Sequence, residues 1–186
     1  SFVNDSMVQI KYMSKTLSDF RNFLKPSTKK VLFSISKALN EINEIIGKQV
    51  FYSNINMNFN YKNKNEELLI YGYENEFKQV LLNIINNAKN KIVEKNLPLN
   101  KKGEININIQ RCENCNMIEI IDDAGAIDEK IINSIFEPYF TTKENGMGLG
   151  LYMAKIIIED KMKGTISVRN DKNCVIFTIK LPFKKA

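Results

Sequence analysis

From Glu74 to Lys95 the apolar residues keep helical register. Phe77, Val80, Leu81, Ile84, Ile85, Ala88 and Ile92 fall three or four apart along one stripe. A helix of that length with a single apolar stripe must cover an apolar surface to be stable. The sequence offers such a surface on either side. Upstream, Leu68–Tyr71 reads as a strand closed by Gly72. Downstream, past Pro98, Glu104–Gln110 and Met117–Ile121 read as two strands of a hairpin. A helix laid over strands is a layered α/β arrangement.

The remaining segments extend that plan. Val31–Ser34 reads as a short strand, and Ser36–Lys48 as a helix carrying Leu39, Ile42, Ile45 and Ile46, with Gly47 near its end. Val50–Phe59 alternates as a strand and Asn60–Asn65 is a polar turn. Asp128–Ile135 is expected to be a short helix. Leu149–Lys161 is expected to be a longer one, with Met153, Ile156 and Ile157 inward. Thr165–Arg169 and Val175–Leu181 close the chain as a second hairpin. The expected fold class is an α/β (α+β) two-layer sandwich, with one mixed sheet, mostly antiparallel on its C-terminal side, and helices on one face.

Residues 1–26 follow a different rule. Val3, Ile10, Leu17 and Leu24 recur every seven residues, with Met13 and Phe20 between them. That is the apolar seam of a coiled coil or helix bundle, ended by Pro26. The expected division is therefore 1–26, one coiled-coil-like helix, and 27–186, the sandwich.

Composition excludes several classes. No apolar run approaches the roughly 20 residues that cross a bilayer, so no membrane contact is expected. The start, Ser1-Phe2-Val3-Asn4-Asp5, does not resemble a signal peptide, and the lack of Met there hints at a fragment. The net charge of +6 is spread along the chain with no basic block interleaved with aromatics. Nucleic-acid binding is not expected, whereas a phosphate ligand would suit the charge. Of three cysteines, Cys112 and Cys115 form a C-x-x-C between two strands. With no histidine and one further cysteine, Cys174, zinc is not expected. Two reduced thiols on a hairpin fit a reducing cytoplasm.

Four stretches carry chemistry. On the long helix, Asn83 and Asn87 are four apart and share a face. Amide oxygens are hard ligands suited to Mg²⁺, although exposed amides are the plainer reading of either residue alone. Asp122 ends an apolar strand and Gly125 follows it, so its carboxylate could accept from an amino group. Phe136-Glu-Pro-Tyr-Phe140 is loop-like. Gly146-Met-Gly148-Leu-Gly150-Leu151 precedes a helix, where glycines allow close approach to phosphate. No P-loop pattern occurs, and the glycines do not directly follow a strand as dinucleotide binding would require.

In this order and spacing the four stretches resemble the N, G1, F and G2 boxes of the GHKL ATPase superfamily, and within it the sensor histidine kinases. Glu76–Asn83 through Asn87-Ala88 is similar to the N box. Ile135–Lys143 and Gly146–Leu151 closely match the last two. The heptad segment resembles the second helix of the dimerisation and phosphotransfer hairpin. The resemblance implies a Bergerat-type fold that binds ATP and releases ADP, with Mg²⁺ on Asn87 and Asn83 beside the phosphates. Asp122 would read the adenine amino group, with Ala126 and Ile127 beside the base. Asn90, Lys91 and the lid residues Phe140, Thr141, Thr142 and Lys143 would complete the site. Gly146, Met147, Gly148, Leu149, Gly150 and Leu151 would wrap the triphosphate. Implied partners are a second copy of the chain, through the helical hairpin, and a response regulator. The implied location is cytoplasmic, with any membrane anchor upstream.

Three departures shape the expectation. Gyrase-like members carry a water-activating glutamate at position 83. Asn83 cannot act as that base, so ATP would be kept for transfer, and a gyrase- or mismatch-repair-type ATPase is disfavoured. Ala124 and Ala126 stand where glycines are usual, and Ala126 is expected to restrict the backbone and weaken affinity. The sequence contains no histidine, so the phosphoacceptor and its acidic neighbour are absent and no catalytic residue of that kind is assigned. The alternative is a degenerate or regulatory nucleotide-binding module of the anti-sigma kind.

Overall fold

The computed structural model describes residues 26–63, 66–98, 100–143 and 146–182. The heptad segment falls within 1–26 and, apart from Pro26, lies outside the described residues. Strand β1 (Val31–Ser34) runs directly into helix α1 (Ile35–Tyr52), with Ser34 as its N-cap accepting from the Lys37 amide. Strands β2 (Ile55–Tyr61) and β3 (Leu69–Gly72) follow, then helix α2 (Glu74–Glu94). The hairpin β4 (Gly103–Arg111) and β5 (Cys115–Asp122) comes next. Helix α3 (Gly150–Lys155) passes into a π-helical turn, Ile156–Lys161, before the closing hairpin β6 (Thr165–Asp171) and β7 (Cys174–Pro182).

The main sheet has the order β2-β4-β5-β7-β6. Only β2 and β4 are parallel, and every later pairing is antiparallel. The single sheet expected from sequence is in fact two, because β1 and β3 pair with each other as a separate antiparallel ribbon. Both strands are only four residues long and each abuts a helix. One face of the main sheet carries Ile105, Ile107, Ile109, Ile118, Ile120, Phe177 and Ile179, all buried with the helices. The stripe of α2 packs here through Phe77, Val80, Leu81, Ile84 and Ile85, each fully buried. The other face is polar: Asn58 donates to Asn106 and Asn60 to Asn108, rung by rung.

Three sequence expectations are corrected. The strand expected over Val50–Phe59 begins only at Ile55, because α1 runs on to Tyr52. Val50 sits four residues past Ile46 and is buried on the same stripe, while Phe51 and Tyr52 project to solvent. Asn54, at φ 59°, ends the helix in the left-handed conformation that Asn tolerates. The helix expected over Asp128–Ile135 is instead a chain of turns. Ile131 bonds back to Asp128, Ser134 to Ile131 and Glu137 to Ser134, three residues each, and a single four-residue bond, Ile132 to Asp128, does not propagate. The helix expected over Leu149–Lys161 is interrupted by its π-helical half, in which Met162 bonds back five residues to Ile157. The buried stripe lies one residue further along than expected, at ordinary helical spacing. Ala154, Ile157 and Ile158 point inward, whereas Met153 is largely exposed.

Candidate functional site

One cavity of about 450 Å³ opens between α2 and the C-terminal end of β5. Helix α2 contributes Asn87, Ala88 and Lys91 to its wall, and β5 contributes Asp122 at its end. The loop after β5 adds Ala124 to Ile127, and the turns that follow add Asp128, Ile131 and Ile135. The lid segment supplies Phe140, Thr141, Thr142 and Lys143, and the glycine stretch supplies Gly146, Gly148, Gly150 and Leu151. Helix α2, the stretch from the end of β5 through the lid to the glycines, and β7 thus meet around one space.

The remaining expected residues stand outside that lining. Asn83 lies one turn below Asn87 and donates from Nδ2 to the Gly150 carbonyl at 3.3 Å, tying α2 to the start of α3. Leu149 is the residue before α3, and its carbonyl receives the Met153 amide at 2.9 Å. Asn90 stays half-buried on α2, and the Met147 side chain is 78% exposed. Sequence reasoning did not single out Val175 and Phe177, which form part of the cavity wall from β7. Their period-two spacing marks them as inward-facing but not as facing a cavity rather than the core. It also missed Asn170, on β6. Asn170 accepts from the Ile127 amide at 2.9 Å and donates to the Ile127 carbonyl at 2.8 Å.

The polar groups of the cavity differ in character. Asp122 is only 4% exposed. Burial pushes its carboxyl up to about 6, with the neighbouring Asp123 adding to the effect. The Ala124 amide, donating to Asp122 Oδ1 at 3.1 Å, and the charge of Lys95 partly offset this. A dry carboxylate with one backbone donor retains capacity to accept from a ligand's amino group. Also on the wall, Lys143 donates from Nζ to Asn87 Oδ1 at 3.2 Å. Lys91, also on the wall, pairs with Glu94 at 2.7 Å.

The glycines divide by conformation. Gly125 has φ 106° and Gly148 φ 65°. A Cβ on Gly148 would lie 2.4 Å from the Tyr139 carbonyl carbon and 2.6 Å from the Phe140 oxygen, so only glycine fits that contact between loop and lid. Ala124 and Ala126 are not in the left-handed region, where Gly125 alone of this loop stands. The expected backbone restriction at Ala126 therefore has no strained conformation behind it. Cys112 and Cys115 are unbonded and flank the β4–β5 turn, at the end of β5 opposite Asp122. Among the described residues no helix is long and apolar enough to cross a membrane.

Known proteins resemble this chain in sequence and fold. Residues 72–185 match the family described as histidine kinase-, DNA gyrase B-, and HSP90-like ATPase. Sporulation kinase A of Bacillus subtilis (strain 168) is 30% identical over 171 residues, which is 90% of this chain and 27% of that kinase. The chain thus spans about a quarter of that relative's length. The nucleotide-free catalytic domain of histidine kinase ThkA superposes with a TM-score of 0.70 at 28% identity, covering 83% of this chain and 96% of that one. ThkA in complex with the response regulator TrrA shares the fold at 23% identity, with a TM-score of 0.69 over 98% of this chain and 51% of that one. With Asn87 of α2, the buried Asp122 and the glycine loop in one cavity, the chain belongs to the histidine kinase-, DNA gyrase B- and HSP90-like ATPase family and is an ATP-binding catalytic domain of the sensor histidine kinase type.

Proposed function

We propose that this chain holds Mg-ATP and presents its γ-phosphoryl group to a histidine outside this sequence, for relay to an aspartate of a response regulator. One observation carries the reading: Asp122 and the Asn87–Lys143 pair line one cavity whose walls come from α2, the stretch from the end of β5 through the lid to the glycines, and β7. Asp122 would accept from the adenine amino group in a dry pocket, with Ala126 and Ile127 beside the base. The backbone from Gly146 to Leu151 would face the phosphates, with Lys91 and the lid residues Thr141, Thr142 and Lys143 supplying donors and charge. Chemistry of this class rests on positioning and charge neutralisation.

The donor set fits magnesium. Asn87 Oδ1 is a hard oxygen on the cavity wall that already accepts from a cation, the Lys143 ammonium. When bound there, the ion would neutralise charge between phosphates. Position 83 holds an amide rather than a carboxylate, so the chain lacks a base at the place where the resemblance puts a water-activating one. Dimerisation through residues 1–26 and a cytoplasmic location belong to the same proposal, supported by the heptad seam and by three unbonded cysteines. The ThkA–TrrA complex supports a response regulator as the partner class.

Calorimetry with Mg-ATP tests the first half, and saturable heat is expected. Incubation with γ-labelled ATP tests the second, and no label on this chain and no steady release of phosphate are expected. Absence of heat at millimolar nucleotide would favour a degenerate regulatory module. Steady hydrolysis would favour an ATPase.

A further inference from the structure

We propose that Asn170 is a positioning residue for the base end of the nucleotide site, acting through the backbone of Ile127. This rests on the proposed nucleotide reading. Three residues lie on one rung of the main sheet: Asp122 on β5 is paired with Val175 on β7, and Val175 with Asn170 on β6. Asp122 and Asn170 are thus two strands apart, roughly 10 Å. The chain leaves β5 at Asp122, crosses this rung and reaches Ile127 beside Asn170.

Both ends of the crossing are fixed by side chains of that rung. Asp122 Oδ1 accepts from the Ala124 amide at 3.1 Å. Asn170 holds the Ile127 backbone at two points, 2.9 Å to its amide and 2.8 Å from its carbonyl. A primary amide offers one donor and one acceptor side by side, as a peptide group does. The Asn170 side chain therefore replaces the neighbouring strand that Ile127 lacks once the β5 ladder has ended. Between the two anchors Gly125 and Ala126 line the cavity, and Val175 lines it on the sheet side. Gly125, at φ 106° with nothing within 4 Å of a built Cβ, is the one hinge in this span. Holding Ile127 thus sets how far the Gly125–Ala126 wall stands from Asp122.

No other residue type reproduces this clamp at the same reach. Leu matches the shape of Asn without either hydrogen bond. Asp keeps the acceptor for the Ile127 amide and loses the donor. Gln carries an extra methylene.

The test compares wild type with Asn170→Leu and Asn170→Asp by calorimetry, using Mg-ATP and Mg-tripolyphosphate, which has no base. Losing two hydrogen bonds is expected to weaken Mg-ATP about tenfold in the Leu variant, with the Asp variant intermediate. Tripolyphosphate binding is expected to stay within about twofold across all three, on the same magnitudes. Hydrogen exchange without nucleotide is expected to show protection of the Ile127 amide lost in Asn170→Leu and retained in Asn170→Asp. Unchanged Mg-ATP affinity in Asn170→Leu, or an equal loss for tripolyphosphate, would overturn the proposal. Wild type that binds no nucleotide would sink the functional reading instead. In that case the Ile127 exchange still decides the clamp.

Discussion

The Lys143 ammonium lies 3.2 Å from the Asn87 amide oxygen, bridging lid and helix α2 across the cavity. The oxygen that the proposed function gives to Mg²⁺ is therefore held by a cation of the lid. An ammonium and a metal ion on one amide oxygen repel each other, so Mg-ATP binding is expected to free Lys143 for the phosphates. The two residues then separate experimentally. Asn87→Ala is expected to weaken Mg-ATP about tenfold or more and to remove most of the gain in affinity that Mg²⁺ confers. Lys143→Ala is expected to weaken ATP by a similar factor with Mg²⁺ and with a chelator alike, because it removes a charge rather than a ligand. Calorimetry with and without the chelator reads both. A Lys143→Ala effect seen only with Mg²⁺ would contradict this division.

Asp122 gives a pH signature. Its carboxyl is pushed up to about 6, mainly by burial. A carboxyl raised in the folded state favours folding most when protonated. Its contribution is full below its ordinary value of 3.8 and is lost as pH rises through about 6. Above that, the buried charge is a cost of roughly 2–3 kcal/mol. Asp122→Asn is expected to melt higher than wild type at pH 8 without nucleotide, with the gap closing towards pH 4. The same substitution is expected to weaken ATP, since it removes the charged acceptor for the adenine amino group. Thermal melts across pH check the first outcome. A gap that widens on acidification would contradict the sign.

The two glycines that flank Leu149 are expected to behave oppositely. Gly148, at φ 65°, is pressed against the Tyr139–Phe140 backbone, which would have to shift for any Cβ. Gly150 begins α3, and a Cβ there would meet only the Asn83 side chain, no nearer than 3.7 Å. Gly148→Ala is expected to destabilise by about 1–3 kcal/mol and to weaken nucleotide binding by displacing the lid. Gly150→Ala is expected to stay within about 0.5 kcal/mol of wild type or to gain stability. Urea unfolding of the two variants, with nucleotide titrations beside it, separates them.

The same contrast shows what the sequence carried. Segments whose hydrophobic period is unbroken were legible: α2, both late hairpins and the inward face of the main sheet follow directly from spacing. Segments governed by backbone bonding were not. Val50 continues the α1 stripe, yet Phe51 and Tyr52 imitate a strand because aromatics favour strands and Phe51 falls in alternation with Ile55 and Met57. The turns from Asp128 and the π-helical half of the last helix keep apolar residues near helical spacing while changing the hydrogen-bond period. The short motifs singled out Asn87, Asp122 and the lid, which the fold brings to one cavity. Asn170 escaped because its role depends on register across β7, which no local pattern contains. Ala126 carried an expected strain that the structure does not contain, because Gly125 takes the left-handed position.

A last prediction concerns the helix that carries the asparagines. Lys78 on α2 is 5% exposed, yet it pairs with Glu41 on α1 and with Glu74 one turn back at 3.0 Å. This cluster joins the two helices. A buried charge with partners is costly to strip of them, whereas its apolar stem packs like a hydrophobe. Lys78→Ala removes the stem and leaves two carboxylates facing each other, and is expected to cost about 2–4 kcal/mol. Lys78→Met keeps most of the stem, and Glu41, about one-third exposed, can turn to water. Its cost is expected to be smaller, about 1–2 kcal/mol. Adding Glu41→Gln to Lys78→Met is expected to recover part of that loss by removing one unpaired charge, whereas Glu41→Gln in wild type is expected to destabilise. Urea unfolding of the four proteins forms a double-mutant cycle. Additive losses around the cycle would mean that Lys78 contributes by packing alone and that the Glu41 pair does not hold α1 to α2.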